Sequence, residues 1–460
     1  MKQNIHHRLT VMALFGLLLM SCNKYLDVTP KGVQMLRTVR DYDLWLNNTE
    51  LETSFPSDLN LLSDQNDKPV ISTALTSTED RVYTWQAQFI VEAPGNAALW
   101  QNYYKAIYLY NTLITGIDAA TGGTDQERKK LKAEALLGRA FEYLGLVNLY
   151  GKAYNPATAS QDLAVPFVTS IDVTEPVPDR STVQQIYDRI VGDITAAIPD
   201  LPINNNINRF RGSVSSAYGV LARTYLYMGN YAKASESAQL ALNNGPNIIL
   251  DYTPLADAKG IPHLIKRSDA IYARLGGISY LGSEIPTLDF LKSFDKTDLR
   301  LKLYYRLLGD FSFTVRGRTT FWHAGAIAGG YINWGISVAE MRLIIAEAAA
   351  RVNDLTKACD ELDAIRKKRF PVAGYQKYSS TDKEQVFQKV MAERNFEMAY
   401  TGTRWFDMKR LDAQGRMPVV NRYNGLGEVI ATLSPGSNKY TLQIPVQVMY
   451  YNSDWTQNPL

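Results

Sequence analysis

The chain has 460 residues, 46% hydrophobic and 21% charged, a balance that supports a folded core and excludes wholesale disorder. Its formal charge is only +3, so there is no basic stripe to neutralise phosphates, and nucleic acid is excluded as a partner. Two Cys and four His leave almost no material for a His/Cys metal cluster or a Ser-His-Asp triad, and no metal is expected.

In chain order, the first signal is a leader. Lys2, His6, His7 and Arg8 precede an apolar run from Val11 to Met20 that is too short to span a bilayer and has the layout of a secretory signal. It ends in Leu19-Met20-Ser21-Cys22, which resembles a bacterial lipobox. The expectation is a signal peptide over 1–21 and lipidation of Cys22, whose acyl chains would anchor the protein. Only Cys359 then remains, so the fold is held without an intramolecular disulfide.

Residues 41–96 read as mixed, with a short helix around Tyr42 to Leu46. From Trp100 the pattern is helical: Trp100, Tyr104, Ile107, Asn111, Ile114 and Ile117 fall on one face. After the Thr121-Gly122-Gly123-Thr124 break, Ala133, Leu137, Ala140, Leu144 and Val147 mark a second helix ending before Gly151, which makes an antiparallel hairpin over 97–150. A proline-rich stretch follows. Ser181 then reads as the N-cap of a helix to Ile198.

Within 181–244, Leu221, Ala222, Tyr225, Gly229, Tyr231, Ala234, Ala238, Ala241 and Pro246 fall at tetratricopeptide offsets, with Gly229 turning the chain. The 336–369 segment repeats the spacing with Ala346, Ala349, Ala358, Leu362 and Ile365, again twelve residues between the key alanines. A last pair covers 383–411 around Gly402. The segments 245–335 and 412–460 carry Gly, Pro and Tyr without helical period, apart from a strand-like run from Tyr440 to Ile444. The expected fold class is mainly α: helix pairs of tetratricopeptide type forming a scaffold, with irregular and short-strand segments (41–96, 245–335, 412–460) packed on it in a single domain over 22–460. Irregular segments on a rigid scaffold are where binding resides.

Several stretches together resemble the SusD/RagB family, the surface nutrient-binding lipoproteins of Bacteroidetes. They are Cys22-Asn23-Lys24-Tyr25-Leu26-Asp27-Val28-Thr29-Pro30, Trp100 to Ile114, and Ala133 to Gly151 around Arg139-Ala140-Phe141. Further along come Glu340 to Arg369 with Ala346-Glu347-Ala348, Glu393-Arg394 to Arg410 around Gly402-Thr403-Arg404-Trp405-Phe406-Asp407, and Ile444-Pro445 with Gln457-Asn458-Pro459. The resemblance implies four helix pairs on one side of the domain and a SusC-like TonB-dependent outer-membrane transporter as partner. It implies an outer-membrane lipoprotein facing the cell exterior that uses no cofactor and captures an oligosaccharide. Peptide-binding relatives exist, and the chain is short for the family, so peptide stays open as the ligand. Two further readings are a helical-toroid glycoside hydrolase and a protein-binding scaffold without a small ligand.

Glu393, Arg394, Glu397, Arg404, Asp407 and Arg410 form the densest polar pattern. Paired carboxylates beside arginines could suggest acid–base chemistry, but facing helices use such pairs as buried bridges that fix register, and no catalytic residue is assigned. Glu347 is expected to bond a neighbouring helix. For ligand contact the candidates lie outside the repeats: Asp64, where relatives place an acid near the pocket; Arg81, Tyr83, Trp85 and Phe89, alternating along a loop; and Tyr280, Trp322, Tyr331 and Trp334 in the Gly-rich segment. Aromatic faces stack on sugar rings while Asp and Arg bond hydroxyls. The competing role for each ring is core packing.

Overall fold

The computed structural model describes residues 36–68, 70–92, 95–255, 262–276, 285–305 and 332–460. The leader 1–21, Cys22 and the candidates Tyr280, Trp322 and Tyr331 lie outside the described residues. Among the described residues no helix is long and apolar enough to cross a membrane, and no group of three or more His, Cys, Asp or Glu could hold a metal ion.

Helices dominate because start signals and apolar stripes agree. Helix α1 (Ala98–Gly116) packs on α2 (Asp125–Tyr150), and α3 (Val183–Ala197) packs on the other flank of α2. Covered from two sides, α2 is buried at every position from Leu137 to Tyr150. Its start is fixed by a reciprocal cap: Glu127 N–H donates to Thr124 Oγ1, and Thr124 N–H to the Glu127 carboxylate. The cap of α3 is Thr182 rather than the expected Ser181. Ser181 is still extended in β3 (Arg180–Thr182), paired with β2 (Leu163–Pro166).

The two repeats beyond are built alike. Helices α4 (Val214–Tyr227) and α5 (Tyr231–Asn243) form one pair, and α6 (Val338–Arg351) and α7 (Leu355–Arg366) the other. Ala222, Ala234, Ala346 and Ala358 are all fully buried, which is why small side chains recur there. Gly229 and Asn353 occupy equivalent turns in the left-handed region (φ 71° and 67°), and Asn230 and Asp354 then cap the second helix of each pair. The pairs stack through α5 on α6, and α8 (Lys383–Glu397) closes over α6 and α7. Helix α9 (Arg404–Asp412) follows Gly402. One core cluster runs from Phe55 to Ile444, joining the repeats to the irregular segments.

Between these helices runs a ladder of buried ion pairs. Arg410 bonds both oxygens of Glu347 (2.7 and 2.9 Å), and Asp407 sits between Arg394 (2.8 Å) and Arg410 (2.7 Å). Arg223 bonds Glu340 with two contacts (2.8 and 2.7 Å). Glu393 takes Arg300 and Arg366, and Glu397 takes Arg300 and Arg369. Burial alone would raise the carboxyl pKa of Glu397 and Asp407, but their arginines outweigh it and hold both at about 2. Glu397 and Asp407 are thus ionised at neutral pH, and the paired acids pin the register between helices, as their spacing suggested.

The irregular side departs from expectation in two places. The 440–444 run is not a strand: Asn438–Tyr440 is a 3-10 turn, and Leu442 N–H donates to Leu149 O. The strands of the tail are β7 (Val420–Tyr423) and β8 (Val429–Leu433), an antiparallel hairpin. The 245–335 segment also contains short helices, Leu288–Ser293 and Leu299–Tyr304, started by the side chains of Thr287 and Asp298. Two more short pairings anchor this side: β1 (Asn66–Asp67) with β5 (Ile285–Pro286), and β4 (Ala270–Tyr272) with β6 (Ile336–Ser337).

Candidate functional site

On the irregular side a cleft of about 530 Å³ lies between the β7–β8 hairpin, the β1–β5 pair and the turn at Asp64. That size suits a small organic ligand. Arg422 stands in the wall of the cleft. Strand alternation turns Arg422 inward and Asn421 and Tyr423 outward. Fully buried, the Arg422 guanidinium donates to four carbonyls: Tyr83 O (2.9 Å), Asn66 O (2.9 Å), Leu61 O (2.8 Å) and Ser63 O (2.8 Å). Its flat face lies 4.4 Å from the Tyr83 ring centre and 4.3 Å from that of Trp85. One side chain thus rivets the hairpin to the 61–85 segment beside the cleft.

The walls are polar and partly aromatic. Tyr423 is 38% exposed beside the exposed Asn421, and Thr287 and Asp289 face them from the β5 side. Asp64 accepts two bonds from Arg404 (2.7 and 2.5 Å), with the side chains 22% and 17% exposed, so its charge is balanced and its position fixed. Asp67 accepts from the Tyr83 hydroxyl (3.3 Å) and from Lys68 N–H (2.8 Å). Burial raises the Tyr83 pKa despite the nearby Arg422, so the hydroxyl stays a neutral donor. The arrangement offers hydroxyl, amide and carboxylate groups beside an exposed ring, a lining suited to stacking and hydrogen bonding.

The amino-terminal half, residues 24–226, matches a family described as "Starch-binding associating with outer membrane", and residues 326–460 match the model described as "SusD family". The chain belongs to the SusD/RagB family. It is 30% identical over 160 residues to SusD-like protein P2 of Formosa agariphila, covering 34% of this chain and 29% of that one. It is 23% identical over 229 residues to a SusD-like protein of Bacteroides ovatus, covering 48% and 39%. The matched segments thus span well under half the length of these curated relatives. In three dimensions it resembles a SusD superfamily protein from Bacteroides thetaiotaomicron (TM-score 0.73, 21% identity, 92% of this chain and 100% of that one). It also resembles a putative sugar binding protein from Bacteroides vulgatus (TM-score 0.72, 22% identity, 93% and 99%). These likenesses establish the mainly helical, repeat-bearing SusD fold.

On that fold the candidates from the sequence separate into three places. Asp64 and Tyr83 line the cleft. Arg81 and Phe89 sit elsewhere: Arg81 Nε donates to Gln88 O (2.7 Å), and Phe89 lines a small groove with Ile90, Leu99 and Pro445. Arg81 and Tyr83 are on a helix, Thr78–Tyr83, capped by Ser77, so the expected loop alternation gives way to helical spacing. Trp85 and Trp334 are interior, each 2% exposed. The Trp85 indole donates to Leu62 O (3.0 Å), and Trp334 packs against Phe55 with ring centres 6.2 Å apart. An enclosed ring presents no face to a sugar. Arg422, Asn421 and Tyr423 were not anticipated. The signal was present, because Val419-Val420-Asn421-Arg422-Tyr423 and Val429-Ile430-Ala431-Thr432-Leu433 flank an Asn424-Gly425 pair, a hairpin pattern.

Proposed function

We propose that this SusD/RagB-family protein captures an oligosaccharide at the outer surface of the outer membrane, held there by acyl chains on Cys22. It then delivers the oligosaccharide to a SusC-like TonB-dependent transporter. The observation that carries the reading is the cleft beneath the β7–β8 hairpin, where an exposed Tyr ring and polar side chains from three segments converge. Ring stacking plus carboxylate and amide bonding is how proteins hold sugars in water, and Tyr423, Asn421 and Asp64 supply both, while Tyr83, 1% exposed, backs the wall from inside. A hydrolase reading finds less support. Glu397 and Asp407, from the acid-rich segment, are pinned at about 2 and cannot hold a proton for a leaving group at neutral pH.

The test is calorimetric titration of residues 23–460 with plant, host and microbial glycans, with peptides alongside. The expected result is saturable heat from one glycan class, weakened at least about tenfold by Tyr423→Ala or Asn421→Ala with an unchanged unfolding midpoint. Heat from peptides alone would transfer the role to peptide uptake, and silence from both would overturn capture. Co-purification with the transporter from outer membranes, and release of Cys22→Ala into the soluble fraction, test delivery and anchoring.

A further inference from the structure

The walls of the hairpin cleft meet around residues 64–67. Thr287 N–H donates to Gln65 O (2.8 Å), Asp67 pairs with Ile285 across the β1–β5 ladder, and the Arg422 side chain reaches Asn66 O (2.9 Å) from the hairpin. Asp64 and Asp67 are thereby held between the hairpin and β5. Asp289 joins them from the first turn of the Leu288–Ser293 helix, which the Thr287 side chain caps. All three carboxylates line the cleft.

The cations nearby are turned inward or already engaged. Arg422, the one cation among the described lining residues, is 1% exposed, and its guanidinium is taken up by four carbonyls beside the Tyr83 and Trp85 rings. Arg404 holds both oxygens of Asp64, and Lys68 bonds Asp80 (3.1 Å). Lys292 stands one turn beyond Asp289 on the same short helix and does not line the cleft. Asp289 is exposed, and among the described residues its carboxylate makes no hydrogen bond or ion pair. The charge that an entering ligand meets is negative.

We propose that the cleft selects its ligand by charge, an inference that rests on reading it as the oligosaccharide site. It takes chains that carry no acidic group and turns away uronic-acid chains, with Asp289 as the selecting residue. A ligand carboxylate within about 6 Å of Asp289 meets a like charge in a partly desolvated gap, where repulsion is several times stronger than in bulk water. A sugar hydroxyl in the same place donates a hydrogen bond to that carboxylate. One side chain thus attracts a neutral chain and repels its acidic counterpart, which is how specificity is built from a difference of affinities.

The experiment passes oligosaccharide pools over immobilised protein (residues 23–460) and identifies the retained chains by mass spectrometry. One pool is acidic, from polygalacturonate and alginate. A second is the same material with its carboxyls methyl-esterified, and a third is neutral, from xylan, mannan, laminarin and starch. Retention of neutral or esterified chains is expected, with acidic chains depleted at least about tenfold. Asp289→Asn, a change of one exposed atom, should remove most of that discrimination, leaving neutral retention within about twofold and the unfolding midpoint unchanged. Raising sodium chloride to about 0.5 M should narrow the discrimination of the unsubstituted protein, because salt screens charge repulsion and leaves a steric filter untouched. Acidic chains retained by the unsubstituted protein, or a discrimination that Asp289→Asn leaves intact, would overturn charge selection while capture stands. No retention from any pool would overturn capture itself, and charge selection with it.

Discussion

The repeat side and the cleft side of this molecule are held by opposite devices. In the repeats, neighbouring helices meet through buried alanines and a ladder of paired charges, Arg223–Glu340, Arg394–Asp407 and Arg410–Glu347, in which each charge answers another. On the cleft side, Arg422 and Lys409 are buried against backbone carbonyls that belong to turns and helix ends. The difference follows from what each side must satisfy. Stacked helices present side chains to each other, so register is fixed by pairing side chains. Irregular segments present unpaired carbonyls, and a long cationic side chain is an efficient way to bond several at once.

The largest effect should come from breaking the ladder. Glu347→Ala would leave Arg410 and Arg351 without their shared carboxylate inside the protein, at a cost of about 3–5 kcal/mol in urea unfolding. The more accessible Arg404–Asp64 bridge at the cleft, with side chains 17% and 22% exposed, should cost less when broken by Arg404→Ala, about 1–2 kcal/mol. Equal losses would erase the contrast between the two sides.

Acid should find the ladder first. Glu397 and Asp407 are held at about 2, below their ordinary 4.5 and 3.8. Because the folded values are depressed, the stabilisation is complete above those ordinary values and is lost as pH falls through about 2. Each depressed group contributes on the order of 2–3 kcal/mol at neutral pH. A urea midpoint flat from neutral pH to about 5 and falling steeply below about 4 is the expected profile, and a midpoint unchanged down to pH 2 would contradict it.

At the junction of the two sides, Gly402 has φ 75°, and a Cβ there would sit 2.5 Å from the Trp334 ring. Gly402→Ala therefore meets both backbone strain and a clash with an enclosed indole, and should cost about 2 kcal/mol or more. The smallest effect on stability is expected at the cleft itself. Tyr423→Ala should move the unfolding free energy by less than about 0.5 kcal/mol while weakening ligand binding. A large loss of stability would recast Tyr423 as part of the hairpin's packing.

Much of the helical scaffold was legible in the residues. The paired alanines at Ala222/Ala234 and Ala346/Ala358, the Gly229 and Gly402 turns and the break at Thr121-Gly122-Gly123-Thr124 all act within a few turns of chain, and local periodicity reports local structure. The acidic and basic residues from Glu393 to Arg410 also read as register pins. The exceptions were near boundaries, such as Thr182 in place of Ser181, where a strand ladder competed with the cap.

The site was less legible. Trp85, Trp334, Arg81 and Phe89 carry the right chemistry for sugar binding, and composition cannot tell an enclosed indole from an exposed one. Whether Trp334 faces a ligand or the core depends on Gly276, Phe55 and Gly402, which lie far apart in the chain and meet only in the fold. By itself the sequence determined the scaffold, because helix propensity, capping and twelve-residue spacing are local properties. Tertiary structure alone decided which rings line an opening and which charges are left facing it. Those are set by contacts between residues hundreds of positions apart, such as Arg422 with Leu61 and Arg180 with Thr456.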